Sequence, residues 1–315
     1  MAGSDPEKLI SKADKLTKLS LTRWSADWKS ATQLYEQAAN GFRLAKDYEK
    51  AKVAFEKASK GQEMIASPWD TAKHMESAAG LAKELGNFIE VADFYRRASE
   101  LYIVCGRPQP ASDALAKGAG KHIFCPLHPV SCYVNLFQWR HPSTYLDSDN
   151  ENLFFDNALE DAVPDEAIQL YTEACSILEE DGKEQMAFDL YRAVTSVYIK
   201  LEKYTDAATF LLRWGLAADK CNATNSQCKA YLSSIIVYLY AHDFKQAEKC
   251  YNDCSQIDAF LRSDQGRCAS RLLSAYSEGD IEEIKRLAQS STVSNLDHVV
   301  RISIPLCPVV CSTLP

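Results

Sequence analysis

The sequence has no long hydrophobic run. Its longest apolar stretch, residues 232–240, has nine residues and includes two serines, whereas a helix that spans a membrane needs about 20. The first fifteen residues are charged and lack the apolar core of a secretory signal. We therefore expect neither a membrane-spanning nor a secreted protein, but a cytoplasmic one.

Catalytic and nucleotide-binding signatures are also missing from the sequence, which has no GxxxxGK[ST], GxGxxG, HExxH or GxSxG motif. The chain has no excess of positive charge, because 43 acidic and 35 basic residues give a net charge of −8. This charge disfavours nucleic acid as a partner. The eleven cysteines form no tight framework, so we expect free thiols in a reducing compartment. We expect neither an enzyme nor a cofactor.

What the sequence does contain is a repeat of about 20 residues. A small residue is followed four positions later by a large one, and three positions further on by another small one, as in Ala31, Tyr35 and Ala38. Spacings of three, four and seven residues lie on one face of an α-helix. The template recurs nine times, with starts at positions 31, 51, 72, 91, 111, 167, 187, 207 and 247.

This repeat predicts an all-α fold. Glycine and aspartate between the segments are typical of helix ends and helix starts, and no stretch has the alternation of a strand. We predict a solenoid of antiparallel helix pairs that is similar to tetratricopeptide repeats but has longer helices. The alternative is an irregular helical bundle.

Residues 120–157 interrupt the repeat. They contain no alanine, but they hold three of the six histidines and three of the eleven prolines. Because proline interrupts helices, we predict a loop or disordered excursion between two helical parts, of which the first covers residues 1–119. We interpret the segment as an insert, such as a retained intron.

The same insert holds a metal-like spacing of four residues, His122, Cys125, His128 and Cys132. Cysteine and histidine are ligands that zinc prefers, but the spacing matches no standard zinc finger. We interpret the set as a chance collection, with a zinc site and a partner-binding loop as the alternatives.

The C-terminal residues 301–315 depart from the repeat as well. They carry one charge and three prolines among mostly apolar residues. Because soluble helical proteins rarely expose such a tail, we interpret it as an altered end, frame-shifted or alternatively spliced.

The first helix and the loop after it combine lysines with apolar residues. Lysines recur at i, i+4 and i+7 from Lys8 along one side of the helix. Leucine and tryptophan next to cations insert into the headgroup region of anionic membranes. The sequence leaves two interpretations open at this point: weak membrane contact, or Trp24 and Trp28 as caps of the first helix pair. The candidates for membrane contact are Leu19, Leu21 and Trp24.

Several segments resemble the soluble NSF attachment protein family. Residues 31–58, 95–102 and 167–171 are similar to repeats of that family, and residues 106–119 are closer to its gamma member than to its alpha and beta members. The resemblance implies an adaptor, because family members coat assembled SNARE four-helix bundles. They recruit the hexameric AAA ATPase NSF, which pulls the bundle apart for reuse in vesicle fusion and intracellular protein transport.

The resemblance also implies which residues bind. The family holds the acidic SNARE bundle through basic residues and the membrane through an apolar loop near the N-terminus. It implies peripheral association with membranes of the secretory and vacuolar pathway. The candidates for SNARE binding are Lys12, Lys15, Lys18, Lys52, Lys57 and Arg97.

The family's C-terminal part is a helical bundle, and the resemblance therefore implies a second division of the chain. We expect the helical repeat to continue over residues 158–255, a C-terminal bundle over 256–300 and an irregular apolar tail over 301–315. The acidic end that contacts NSF in the family is missing here. The alternative function is therefore a generic helical-repeat scaffold that has lost NSF recruitment through its altered C-terminus.

Overall fold

The computed structural model describes residues 5–18, 25–120, 158–297 and 300. These residues form sixteen α-helices and one 3-10 turn (Glu184–Ala187) and contain no strand, which confirms the predicted all-α helical-repeat fold. The helices are α1 (Pro6–Thr17), α2 (Trp28–Leu44), α3 (Tyr48–Met64), α4 (Pro68–Glu84), α5 (Phe88–Val104), α6 (Pro108–Ala119), α7 (Ala158–Ala162), α8 (Pro164–Glu180), α9 (Phe188–Lys200), α10 (Tyr204–Lys220), α11 (Thr224–Tyr240), α12 (Phe244–Cys254), α13 (Asp258–Leu261), α14 (Asp264–Glu278), α15 (Ile281–Ala288) and α16 (Ser291–Ser294).

The repeating unit is a helix of 17 residues followed by a turn of three. Helices α2, α3, α4, α5, α8, α10 and α11 all have this length. The N–H of the third turn residue bonds to the carbonyl five residues earlier, as from Asn87 to Ala82 at 2.9 Å, which closes the helix end. The middle turn residues have positive φ and recur every 20 positions, at Lys46, Ala66, Gly86 and Gly106, and again at Gly182, Glu202, Asn222 and His242.

Each new helix begins directly after its turn. The side chains of Asp27, Asp47 and Asp243 accept a hydrogen bond from the backbone N–H three residues further on, at 3.0–3.3 Å. Pro68 and Pro108 occupy the first helical position, where a missing N–H costs nothing. A helix and its turn together therefore account for the 20-residue period.

The small–large–small template forms the core. Ala31 and Ala38 are fully buried, and Tyr35 between them is 4% exposed. The small positions let neighbouring helices approach closely. At Gly118, an added Cβ would lie only 2.9 Å from the Cβ of Tyr95, so this contact between α6 and α5 requires glycine.

The chain forms two compact units, Met1–Leu170 and Tyr171–Pro315, with the division inside α8. In the second unit, α11 lies at the centre and contacts α10, α12, α13 and α14. Twelve of its 17 residues are buried, so α11 is the core helix of that unit.

In the first unit, each helix from α1 to α6 packs against the next one in sequence, and ion pairs join alternate helices. Glu7 of α1 pairs with Lys50 of α3 at 2.7 Å, and Glu76 of α4 pairs with Lys117 of α6 at 3.2 Å. Helices α1, α3 and α5 therefore form one layer, which we call the odd layer, and α2, α4 and α6 form the other.

Candidate interaction surface

A three-residue contact fastens α1 to the two helices after it. Asp14 accepts hydrogen bonds from the Tyr35 hydroxyl at 2.7 Å and from Lys57 Nζ at 3.0 Å. Burial opposes the charge on Asp14, but these two bonds outweigh it and lower the pKa of the Asp14 carboxyl. Burial and the same carboxylate raise the pKa of Tyr35 to about 12. The contact fixes which side of α1 faces outward.

That outward side carries exposed lysines. The residues that line a shallow depression of about 340 Å³ along α1 are Glu7, Lys8, Ser11, Lys12 and Lys15. Three ammonium groups against one carboxylate make this surface positive, which favours an anionic partner. Two of the predicted SNARE-binding residues, Lys12 and Lys15, lie here, and the exposed Lys18 follows directly after the helix.

Lys52 and Lys57 lie in ion pairs between helices. The Lys52 side chain is only 6% exposed, with its Nζ 2.7 Å from Glu90 of α5 and 3.2 Å from Glu49. The hydrogen bond to Glu90 outweighs burial and raises the pKa of Lys52. Lys57 is bound to Asp14. A partner would have to break these pairs to use either lysine, so the structure gives both residues a role in holding the odd layer together.

Arg97, the sixth candidate, is exposed in a groove of about 410 Å³ between α3 and α5. Four carboxylates, three cations and the ring of Phe94 line the groove. The groove is therefore mixed in charge. Burial raises the pKa of Glu56 on its wall. Sequence reasoning missed these carboxylates because they come from two helices that are far apart in the chain. The lining residues are Lys52, Glu56, Glu90, Asp93, Phe94, Arg96, Arg97 and Glu100.

Two sets of predicted site residues lie outside the described residues. They are the membrane-contact candidates Leu19, Leu21 and Trp24, and the metal candidates His122, Cys125, His128 and Cys132. Within residues 5–18, 25–120, 158–297 and 300, no group of three or more His, Cys, Asp or Glu side chains is placed to hold a metal ion. In the same part of the chain, every helix is too short or too polar to cross a membrane.

Seven cysteines belong to the described residues, none of them in a disulfide there, and five of the seven are buried. Cys250 and Cys254, one turn apart on α12, are each 5% exposed. Cys254 occupies a small-residue position of the repeat template, and its burial shows that this position packs in the core.

Comparison with known proteins places these features in a family. The family model described as "Soluble NSF attachment protein, SNAP" matches residues 4–120 and 154–301. The gamma-soluble NSF attachment protein of Arabidopsis thaliana is 68% identical over 297 residues, which cover 94% of this chain and 89% of that protein. The protein of the same name from Dictyostelium discoideum is 28% identical over 294 residues, which cover 93% of this chain and 79% of that protein.

Among solved structures, aspartyl phosphate phosphatase F of Bacillus subtilis aligns with 83% of this chain and 61% of its own, at 13% identity and a TM-score of 0.36. No conclusion about fold or function follows from a score this low. The family match covers most of the chain, and the plant relative is similar over nearly its whole length. The chain therefore belongs to the soluble NSF attachment protein family.

Proposed function

We propose that this protein is an adaptor that binds assembled SNARE four-helix bundles and recruits the ATPase NSF to them for disassembly. The observation that carries the proposal is the 68% identity to a gamma-soluble NSF attachment protein over 94% of the chain. The hydrolysis of ATP belongs to NSF in this proposal, and the adaptor supplies binding surfaces only.

The SNARE-binding part of the proposal is supported by the charge on α1. An acidic helical bundle needs an exposed, positively charged surface, and the lysines along the outer side of α1 provide one. Lys12, Lys15, Lys18 and Arg97 are exposed. The Nζ atoms of Lys52 and Lys57 lie 2.7 Å from Glu90 and 3.0 Å from Asp14, in ion pairs that join helices of the same unit. We therefore propose the first four as the contacts and the last two as supports of the helices that carry them.

A weak, peripheral contact with anionic membrane completes the proposal. Leu19, Leu21 and Trp24 follow the last described residue of the α1 segment and would insert between headgroups, with the α1 lysines near the lipid phosphates. Two or three apolar side chains contribute only a few kcal/mol, about 2 each. The contact would therefore assist binding to membrane-anchored SNAREs rather than replace it.

The test of the SNARE contact is a charge reversal on α1. The double variant Lys12→Glu and Lys15→Glu should weaken binding to immobilised SNARE bundles about tenfold or more at low salt, and the difference should shrink as salt rises. The matched control is Lys245→Glu with Lys249→Glu, which reverses two exposed lysines on α12 of the other unit.

Equal loss of binding in both double variants would contradict a specific role for α1, since it would indicate attraction by net charge alone. No binding by a folded wild-type chain would instead favour the generic scaffold. Helix content measured by circular dichroism separates a lost contact from a lost fold.

A further inference from the structure

The residues that line the depression along α1 include one serine. Ser11 is exposed on this helix, and the other lining residues are Glu7, Lys8, Lys12 and Lys15. Because residues three and four positions apart are neighbours on a helix surface, Lys8 lies one turn before Ser11 and Lys15 one turn after it. A group attached to the Ser11 hydroxyl would therefore lie among three ammonium groups.

The carboxylates of α1 are engaged within the first unit. Glu7 lies 2.7 Å from Lys50 of α3, and Asp14 lies 3.0 Å from Lys57 of the same helix. The Asp5 carboxylate caps the start of α1, where it accepts a hydrogen bond from the Glu7 N–H at 3.1 Å. In the depression itself, three positive charges and one negative charge give a net charge of +2.

A phosphate on Ser11 would cancel this charge. Phosphoserine carries about −1.5 to −2 charges at pH 7, so the net charge of the depression would fall from +2 to about zero. The phosphate oxygens are strong acceptors and would bind the ammonium groups of Lys8 and Lys15 on the same side of the helix. A phosphorylated α1 would therefore lose the positive charge that attracts an anionic partner.

Burial distinguishes Ser11 from the other hydroxyl residues that resemble kinase targets. Basophilic protein kinases select a lysine or arginine three residues before the target, because their own clefts are acidic. In the described part of the first unit, Thr32 and Ser99 also have this spacing, but they are 2% and 3% exposed. Lys8 stands three residues before Ser11, which is exposed. The serine that a kinase can reach is therefore the one in the depression.

The helix that carries Ser11 can open locally. A kinase binds its target segment in an extended form, so α1 has to unwind around the serine. Ala13 alone of the 12 residues of α1 is buried, and α1 packs against α2 on one side, whereas α3 and α4 each pack between two helices. The side chains of Glu7 and Lys50 are both more than half exposed, so their ion pair is weak. Opening α1 thus costs less than opening the inner helices.

We propose that Ser11 is a phosphorylation site of a basophilic serine/threonine kinase and that its phosphate releases an anionic partner from α1. The Ser11 oxygen attacks the γ-phosphorus of ATP and forms the new O–P bond. The bond from the γ-phosphorus to the β,γ-bridging oxygen breaks, ADP leaves, and the catalytic base of the kinase takes the hydroxyl proton. This inference rests on the proposed function, because the partner released is the SNARE bundle, and it adds regulation of that contact.

The first step of the test is phosphorylation of the full, folded chain. The chain is incubated with ATP and calcium/calmodulin-dependent kinase II, which selects a basic residue three positions before its target. Mass spectrometry then locates the phosphate. Ser11 should be phosphorylated and the buried Ser99 should not. A chain without phosphate at Ser11 after this treatment would overturn the inference.

The second step measures binding to immobilised SNARE bundles. The phosphorylated chain should bind about tenfold more weakly than the untreated chain at low salt, and kinase treatment of Ser11→Ala should change its binding little. Ser11→Glu adds one negative charge and should bind about threefold more weakly than Ser11→Gln, which has a similar shape without the charge. The matched control is Ser270→Glu, which adds the same charge at an exposed serine of α14 that also follows an arginine by three residues. This control should bind as the wild type does.

Equal binding by Ser11→Glu and Ser11→Gln, or an equal loss in Ser270→Glu, would overturn the inference and leave the proposed function intact. A wild-type chain that binds no SNARE bundle would contradict the proposed function. Elution from polyglutamate resin then decides the inference by itself. Phosphorylation at Ser11 should lower the salt concentration that elutes the chain, and unchanged elution would overturn the inference.

Discussion

At the scale of single residues, the partners of a charged side chain decide whether it supports the fold or meets another molecule. Lys12 and Lys52 look alike in the sequence, since both are lysines on amphipathic helices. In the structure, Lys12 lies in an open depression, whereas Lys52 is 6% exposed between Glu49 and Glu90. Sequence periodicity predicts which face of a helix is buried, but it does not predict which carboxylate of a distant helix a lysine meets.

The contact of Asp14 with Tyr35 and Lys57 makes a testable contribution to stability. Asp14→Asn removes the charge that Lys57 pairs with, and we expect a loss of about 1–3 kcal/mol in the free energy of unfolding at pH 7. Tyr35→Phe removes one hydrogen bond and should cost less, about 1 kcal/mol. Urea denaturation followed by circular dichroism measures the free energy of unfolding of both variants. An Asp14→Asn variant that is as stable as the wild type would show that the contact does not stabilise the fold.

The same contact predicts a dependence on pH. The pKa of Tyr35 is raised from 10.0 to about 12, so the protonated hydroxyl stabilises the fold fully below pH 10 and this stabilisation is lost as the pH rises through about 12. The pKa of Asp14 is lowered from 3.8. The ionised Asp14 carboxylate therefore stabilises the fold fully above pH 3.8, and this stabilisation is lost as the pH falls through the lowered pKa. The free-energy difference between wild type and Tyr35→Phe should therefore be constant from pH 7 to 9, and a change in that range would argue against this assignment.

At the scale of helices and turns, the 20-residue period was predictable from the sequence. The conformation of the turn residues that produce this period was predictable only where the residue is glycine. The glycines at 86, 106 and 182 occupy the left-handed turn position, as glycine after a helix suggests. Lys46, Ala66, Glu202 and His242 occupy the same position with positive φ, and nothing in their residue type predicts it. The regular geometry of the repeat imposes the conformation on them at a cost of about 1 kcal/mol each.

Ala66→Gly should therefore stabilise the protein. Glycine adopts the φ of +57° without strain, and we expect a gain of about 0.5–1 kcal/mol after the greater freedom of glycine in the unfolded chain is subtracted. Gly86→Ala is the reverse change at the equivalent turn, where an added Cβ meets nothing within 4 Å, and it should cost about 1 kcal/mol through the backbone alone. Thermal unfolding measures the midpoint temperature of each variant. If both midpoints move in the same direction, strain at positive φ does not explain the stability of these turns.

Glycines inside helices give a second pair with opposite outcomes. At Gly215 of α10, an added Cβ would lie 2.1 Å from the Tyr231 ring, which is itself packed edge to face against Phe260. Gly215→Ala should cost about 2 kcal/mol because that ring has little room to move. At the exposed Gly80 of α4, a Cβ meets nothing within 4 Å, so Gly80→Ala should stabilise by about 0.5–1 kcal/mol. Chemical denaturation of both variants tests the packing of α10 on α11. A Gly215→Ala variant that is more stable than the wild type would contradict it.

At the scale of the whole molecule, the sequence predicted the all-α repeat fold and the family, because both follow from a pattern that recurs along most of the chain. The family match leaves residues 121–153 outside its two ranges, and the predicted insert at 120–157 and the division at 255 remain predictions. The pairing of Lys52 with Glu90 was not predictable, because these residues of α3 and α5 become neighbours only when α3, α4 and α5 are packed side by side. Binding surfaces on a repeat protein are made by such packing, and periodicity does not specify it.

The central claim is that this chain joins NSF to SNARE bundles. The measurement that tests it most directly is the retention of NSF, with a non-hydrolysable ATP analogue, on immobilised SNARE bundles in the presence and absence of the chain. We predict that NSF is retained only when the chain is added, and that Lys12→Glu with Lys15→Glu abolishes most of this retention. Binding of the folded chain to the bundles without any retained NSF would contradict the claim.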